Sequence, residues 1–156
     1  MKKTNAIRIL DRLKVNYTLV EYNYNTEDLS VIRIAEENNL PLPQIYKTLV
    51  AKGDKVGVVV AVVPGDCALN FKALAKNSGN KKITLVPVKD IPGLTGYIRG
   101  GCSPLGMKKD YPVLLDESAR QHDLIYVNAG KKGLLIGLNP DDLLDAAQGT
   151  YAPISN

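Results

Sequence analysis

The sequence predicts an α+β fold in a single domain, residues 1–156, built on a mixed, largely antiparallel sheet of six to seven strands flanked by helices. Three observations lead there. Strand-like runs outnumber helix-like ones, and several come in hairpin pairs. Helix patterns fall at both ends of the chain and in its middle. No strand–helix–strand series recurs, so a doubly wound parallel sheet is not expected. At 156 residues the chain is long enough for one real core.

Thr4 caps a first helix, with Ile7, Leu10 and Leu13 on or near one stripe, and Asn16 ends it. Residues 17–22, rich in Tyr, Thr and Val, form a strand, and 23–28 are a polar connection. Ser30 caps a second helix through Asn38, with Val31, Ile34 and Ala35 inward, and Pro41 and Pro43 stop it. Residues 44–52 and 55–63 are two strands joined at Gly53-Asp54, the second a near-continuous valine run ended by Pro64-Gly65. A short helix over 69–77 closes at Gly79, and a short strand covers 83–86. Residues 88–94 are turn-rich. Beyond the loop at 96–109, strands are expected at 112–115, 124–127 and 133–138, with one helical turn at 116–121. Residues 129–132 turn tightly between the last two strands. Asn139 caps the final helix, with Pro140 at its first position and Asp141 and Asp142 in its first turn. Gly149 ends that helix, and 150–156 form a frayed tail.

Four glycines and a proline fall between Gly96 and Gly106. An ordinary surface turn needs one or two such residues. A glycine pair followed by proline lets the backbone bend sharply and approach a ligand. Consecutive N–H groups in such a bend can converge on one oxygen atom. The stretch is therefore either a functional loop or a long decorated hairpin loop. Lys47 raises a similar choice. Strand alternation puts it on one face with Ile45, Leu49 and Ala51, so it either snorkels out at a sheet edge or points into a cleft.

Composition excludes several classes. The apolar share is 45% and the charged share 23%, as in globular proteins. No run approaches the ~20 apolar residues of a membrane span, and Met-Lys-Lys-Thr does not open a signal peptide. With Cys67 and Cys102 alone, the chain reads as cytoplasmic with reduced thiols. The net charge of +4 suits a polyanionic partner without demonstrating one. Lys81-Lys82, Lys108-Lys109 and Lys131-Lys132 are paired near turns, where they could contact phosphates or simply be solvated.

Motif chemistry is mostly eliminated. Cys67, Cys102 and His122 are scattered without zinc-ligand spacing, so no metal and no other cofactor is expected. A phosphate-binding Walker loop fails because Met107 follows Gly101 and Gly106 where lysine is needed. A Cys102–His122 dyad is conceivable only because Cys102 lies in the loop. What remains is a glycine loop, a lysine on a strand face shared with apolar residues, and nearby Tyr and Ser: a site without an evident nucleophile. An activated ester can be cleaved there by positioning and oxyanion stabilisation.

Gly100-Gly101-Cys102-Ser103-Pro104 resembles the Gly-x-x-x-Pro loop of the YbaK/EbsC family of trans-editing aminoacyl-tRNA deacylases, relatives of the editing domain inserted in bacterial prolyl-tRNA synthetases. The run from Gly96 to Lys109 is similar to the Cys-tRNA(Pro) deacylase branch. Gln44-Ile45-Tyr46-Lys47-Thr48-Leu49 and Ile125-Tyr126-Val127-Asn128-Ala129-Gly130-Lys131-Lys132-Gly133-Leu134 match further family segments, in family order. The resemblance implies a compact, barrel-like sheet flanked by helices.

It also implies a reaction: clearing Cys-tRNA(Pro), and by extension Cys-tRNA(Cys), through attack of the substrate's own thiol on its ester. Water-mediated hydrolysis of Ala-tRNA(Pro), or non-catalytic tRNA binding, are the alternatives. The implied catalytic set is Lys47, Gly100, Gly101 and Ser103. Lys47 would hold the terminal nucleotide, and Gly100 to Ser103, Cys102 included, would offer N–H groups, with Pro104 fixing the bend. Tyr22, Thr48, Asn128 and Gly130 would line the pocket. Leu135 and Asn128 depart from the aspartate and serine that relatives can carry, which bears on amino-acid preference. The implied partners are the 3′ end of tRNA(Pro) and prolyl-tRNA synthetase, with no membrane, and the protein a monomer or weak homodimer.

Overall fold

The computed structural model describes residues 2–24 and 30–156. The polar connection expected at 23–28 lies mostly outside them.

Helix α1 (Asn5–Arg12) starts where Thr4 Oγ1 accepts the Ile7 N–H, and it buries Ala6, Ile7 and Leu10. Strand β1 (Thr18–Glu21) comes next. Helix α2 (Val31–Asn38) is capped by Ser30, which accepts the Arg33 N–H, and it ends at left-handed Asn39. Ile34 and Ala35 are buried as expected; Val31 is half-buried. Strands β2 (Tyr46–Gly53) and β3 (Val58–Pro64) form the expected antiparallel hairpin. Helix α3 (Phe71–Ser78) is capped by Asn70 and closed by left-handed Gly79, and β4 (Ile83–Leu85) lies just beyond it.

The turn-rich segment contains a 3-10 turn at Val88–Asp90 and a short helix α4 (Ile91–Thr95). After the glycine loop come β5 (Val113–Asp116), a 3-10 turn (Glu117–Gln121), and the antiparallel pair β6 (Ile125–Asn128) and β7 (Leu134–Leu138). Helix α5 (Pro140–Ala147) starts at Asn139, whose side chain accepts the Asp141 N–H. Its left-handed terminal residue is Gln148 rather than Gly149.

The described strands form two open sheets, in the orders β1-β7-β6 and β4-β2-β3-β5-β8. The expected barrel-like closure is not found. Each sheet ends in two edge strands that do not pair with one another. A single parallel bridge, Ile45 to Tyr126, links the two sheets. The pairing is mixed and largely antiparallel, but β3–β5 and β5–β8 are parallel.

The pairing of β8 corrects the expectation of a frayed tail. Residues 150–152 are strand β8 (Thr150–Ala152), and Ile154 is fully buried. The buried Asp116 carboxylate anchors the C-terminus: one oxygen accepts the N–H groups of Ile154 and Ser155, while the other accepts that of Ser118. With β8 counted, the described strands number eight, more than the six or seven expected.

The five-stranded sheet is covered on both sides. Val60 and Val62 face a core shared with α1, α5 and the smaller sheet, while Val59, Ala61 and Val63 face α3. All five are fully buried, and each valine contributes roughly 1.5–3 kcal/mol through burial. This double covering explains the uninterrupted apolar run in β3.

Candidate active site

A cavity of about 330 Å³ opens where the start of β2 meets the smaller sheet. Three walls converge on it. Lys47, Thr48 and Leu49 come from β2, and Ile45 lies just ahead of them. Val31 and Ile34 come from α2. Tyr22, Asn128 and Leu135 come from the smaller sheet and its margin. Arg99, Gly100 and Cys102 of the glycine loop complete it. The register explains the third wall: Leu135 pairs with both Val20 and Asn128. The Ile45–Tyr126 bridge holds the two sheets together at this point.

Lys47 is half-buried, and its Nζ donates to the Cys67 carbonyl at 2.8 Å. The ammonium is thus held beside the cavity by the turn that leaves β3. Gly65 in that turn also lines the cavity, and its N–H donates to the Ile45 carbonyl at 2.7 Å. A Cβ built at Gly65 would lie 2.6 Å from Val31 Cγ2 and 3.1 Å from the Ile45 oxygen. Only glycine lets α2 close over the cavity at this spacing.

The glycine loop bends at Gly100, where φ is +82°. The Gly101 N–H donates to the Ile98 carbonyl at 2.9 Å. Asn128 fastens the loop from the other sheet: its Nδ2 donates to the Gly100 carbonyl at 3.0 Å, and its Oδ1 accepts the Gly130 N–H at 2.7 Å. A side-chain amide satisfied at both ends holds its partners in one geometry.

Of the residues singled out in the sequence, Tyr22, Lys47, Thr48, Gly100, Cys102 and Asn128 line this one cavity. Gly101, Ser103, Pro104 and Gly130 do not. Gly101 packs against the Lys131-Lys132 backbone, where a Cβ would lie 3.0 Å from the Lys132 nitrogen. Ser103 is fully buried, and its hydroxyl accepts the Leu105 N–H at 3.2 Å. Pro104 lines a separate hollow between α1 and α5. Gly130 lies against the Tyr97 ring at φ +105°. Arg99, Gly65 and the α2 residues were not singled out. The Pro64-Gly65 turn signal and the helical stripe of α2 were both visible, but nothing local ties them to Lys47.

Cavity chemistry is sparse. Burial pushes the Cys102 thiol up to about 11, which leaves almost no thiolate at neutral pH. Burial also raises the Tyr22 phenol, opposed in part by hydrogen bonds from Gly133 and Asn128. His122 closes the 3-10 turn after β5 and does not line the cavity, so the dyad with Cys102 is not formed there. Among the described residues lining the cavity there is no Asp, Glu or His. Thr48 Oγ1 is buried and finds no hydrogen-bond partner among the described residues. An unpaired buried hydroxyl costs about 1–3 kcal/mol, which a bound polar ligand can recover. The described lining can therefore bind and polarise a ligand, and among the described residues it presents no carboxylate or imidazole base.

A fold of this kind, with a cation and a glycine bend around a base-poor cavity, defines a ligand-positioning site. Comparison with known proteins makes the class specific. Residues 28–146 match the aminoacyl-tRNA editing domain, and the chain belongs to that family. It is 46% identical over 154 residues to the "Putative Cys-tRNA(Pro)/Cys-tRNA(Cys) deacylase EbsC" of Enterococcus faecalis, covering 99% of this chain and 94% of that one. A segment covering 58% of this chain is 34% identical to 16% of the proline–tRNA ligase of Thermosipho africanus. The crystal structure of "a putative trans-editing enzyme for prolyl tRNA synthetase" has the same fold, with a TM-score of 0.83 at 22% identity, over 100% of this chain and 99% of that one. Among the described residues, no helix is long and apolar enough to cross a membrane.

Proposed function

We propose that this protein is a trans-editing deacylase that clears Cys-tRNA(Pro), and Cys-tRNA(Cys) where it meets it, using the substrate's thiol as nucleophile. One observation carries the reading: the described cavity lining supplies a lysine but no Asp, Glu or His. The nucleophile then comes from the substrate. A thiol ionises far more readily than water, and a nearby cation favours the thiolate. The thiolate attacks the ester carbonyl, forming the C–S bond. The C–O bond to the ribose breaks, the ribose oxygen takes up a proton, and the amino acid leaves as a cyclic thiolactone.

Lys47 holds the terminal nucleotide as a point charge, and the bend at Gly100 and Cys102, backed by Gly101, Ser103 and Pro104 outside the cavity, sets the carbonyl. Tyr22, Asn128 and Leu135 form a wall sized for a small side chain, with Gly101 and Gly130 shaping it from behind. The chain works as one editing domain, a monomer or weak homodimer, beside prolyl-tRNA synthetase in the cytoplasm. The relationship to a segment of a proline–tRNA ligase supports that pairing. A synthetase pocket discriminates poorly among small residues, so a second site has work to do.

The unpartnered Thr48 hydroxyl favours a second reading, in which it holds a water that hydrolyses Ala-tRNA(Pro). A panel of Cys-, Ala- and Pro-tRNA(Pro) separates the two. Thiolactone released from Cys-tRNA(Pro) alone supports the first, and free alanine supports the second. If all three tRNAs stay charged, the protein is a binding module and the proposal fails.

A further inference from the structure

A second hollow, of about 480 Å³, adjoins the candidate active site and shares Tyr22 with it. Tyr24 stands edge-to-face with Tyr22, with ring centroids 6.4 Å apart, and is 46% exposed. A large aromatic left half in solvent beside a functional cavity calls for an explanation. Gly133 makes its position possible: a Cβ there would lie 3.1 Å from the Tyr24 ring. Lys131 and Lys132 line the same hollow, and their backbone is wedged against Gly101 of the glycine loop. The pair is therefore fixed relative to the active site. Glu21 contributes the opposing carboxylate, so among the described residues two cations face one anion, and the amides of Asn23 and Asn38 line the hollow too.

An exposed ring, two lysines and two amides make poor contacts for an apolar protein segment. They suit single-stranded nucleic acid, which offers a base to stack, phosphates to neutralise and base edges to hydrogen-bond. We propose that this hollow is a subsite for the unpaired nucleotides just upstream of the aminoacylated end. Tyr24 stacks a base while Lys131 and Lys132 hold the adjoining phosphates. The inference rests on the deacylase reading above and adds to it the path by which the strand arrives. It gives the Lys131-Lys132 pair a ligand, where the sequence left it between phosphate contact and solvation.

The test uses the full chain and a fluorescent single-stranded RNA ending in CCA, followed by anisotropy. Tyr24→Ala weakens binding about 5- to 150-fold, the usual worth of one stacked base, while Tyr24→Phe stays within about twofold of wild type. Lys131→Ala/Lys132→Ala lowers the slope of log K against log salt by about 1.4, as expected for two single-strand phosphates. In parallel, the ratio of kcat/KM on Cys-tRNA(Pro) to that on a cysteinyl ester of adenosine alone falls in Tyr24→Ala by the same factor as the binding. Circular dichroism checks that the variants fold. RNA binding that is unmoved by Tyr24→Ala, or whose salt slope is unmoved by Lys131→Ala/Lys132→Ala, overturns the proposal. So does an equal loss on the adenosine ester, which would make Tyr24 a prop for Tyr22, or weakened binding to prolyl-tRNA synthetase with RNA binding intact. If the wild type leaves every aminoacyl-tRNA charged, the deacylase reading fails, and the RNA arm still decides the subsite.

Discussion

Replacing Lys47 is the most searching perturbation, because the structure separates its two roles. Its visible contact is one hydrogen bond to the Cys67 carbonyl at 2.8 Å, from a half-buried side chain. Losing such a bond costs about 0.5–1.5 kcal/mol, which in a chain of this size lowers Tm by roughly 1–6 °C. Its proposed contact is a charge-assisted bond to the substrate, with about 1.5–3 kcal/mol at stake. At 1.4 kcal/mol per tenfold, Lys47→Ala lowers kcat/KM about 10- to 150-fold. Lys47→Met keeps most of the stem's packing but also loses the bond to Cys67, so it melts no lower than Lys47→Ala and is equally inactive. Lys47→Arg recovers little, because a planar fork does not replace a compact charge in a cavity this small. The assay is single-turnover deacylation of labelled Cys-tRNA(Pro) alongside thermal melts of each variant. Wild-type kcat/KM in both Lys47→Ala and Lys47→Met would refute the reasoning, whatever the melts show.

Two further outcomes are expected. Asn128→Ala strands the Gly100 carbonyl and the Gly130 N–H, costing about 1–3 kcal/mol; Tm falls by roughly 2–12 °C and kcat/KM falls as the loop loosens. A melt indistinguishable from wild type would show that the amide does not pin the loop. Cys102→Ala keeps its deacylase activity, since a thiol raised to about 11 is not the nucleophile. The same variant tests the alkaline limb of stability. Burial raises the folded thiol from 9.0 to about 11. The unfolded chain therefore loses its proton first, and this thiol's contribution is complete below pH 9 and lost as pH rises towards 11. Denaturant titrations across that window show a shallower fall in Cys102→Ala than in wild type, and parallel curves would contradict it.

Local chemistry made much of the fold legible. Thr4, Ser30 and Asn139 each cap the helix that comes after them, as read from the sequence, because a side-chain oxygen beside free N–H groups is a short-range matter. The β2–β3 hairpin was readable from its turn. The parallel pairings of β3 with β5 and of β5 with β8 were not, because they join segments far apart in sequence and leave no periodic trace. The barrel-like sheet, implied by resemblance, failed on the same ground: which edges meet is decided by tertiary packing. At the site, alternation along β2 left Lys47 between an edge and a cleft, and only the structure shows the cavity beside it. Ser103 looked available in a glycine-rich loop, yet its hydroxyl turns inward to Leu105 and it is fully buried. The role of Gly65 in admitting α2 could not be read at all, since it depends on Val31 arriving from another element.

Strand β8 has a consequence for how the polypeptide emerges from the ribosome. It lies beside β5, and Ile154 completes the apolar layer beneath α3. Until residues 150–155 are in place, the Asp116 side chain lacks the two amides that it accepts in the folded protein, and one margin of the larger sheet stands bare. A chain lacking β8 would therefore present a sticky flank along β5.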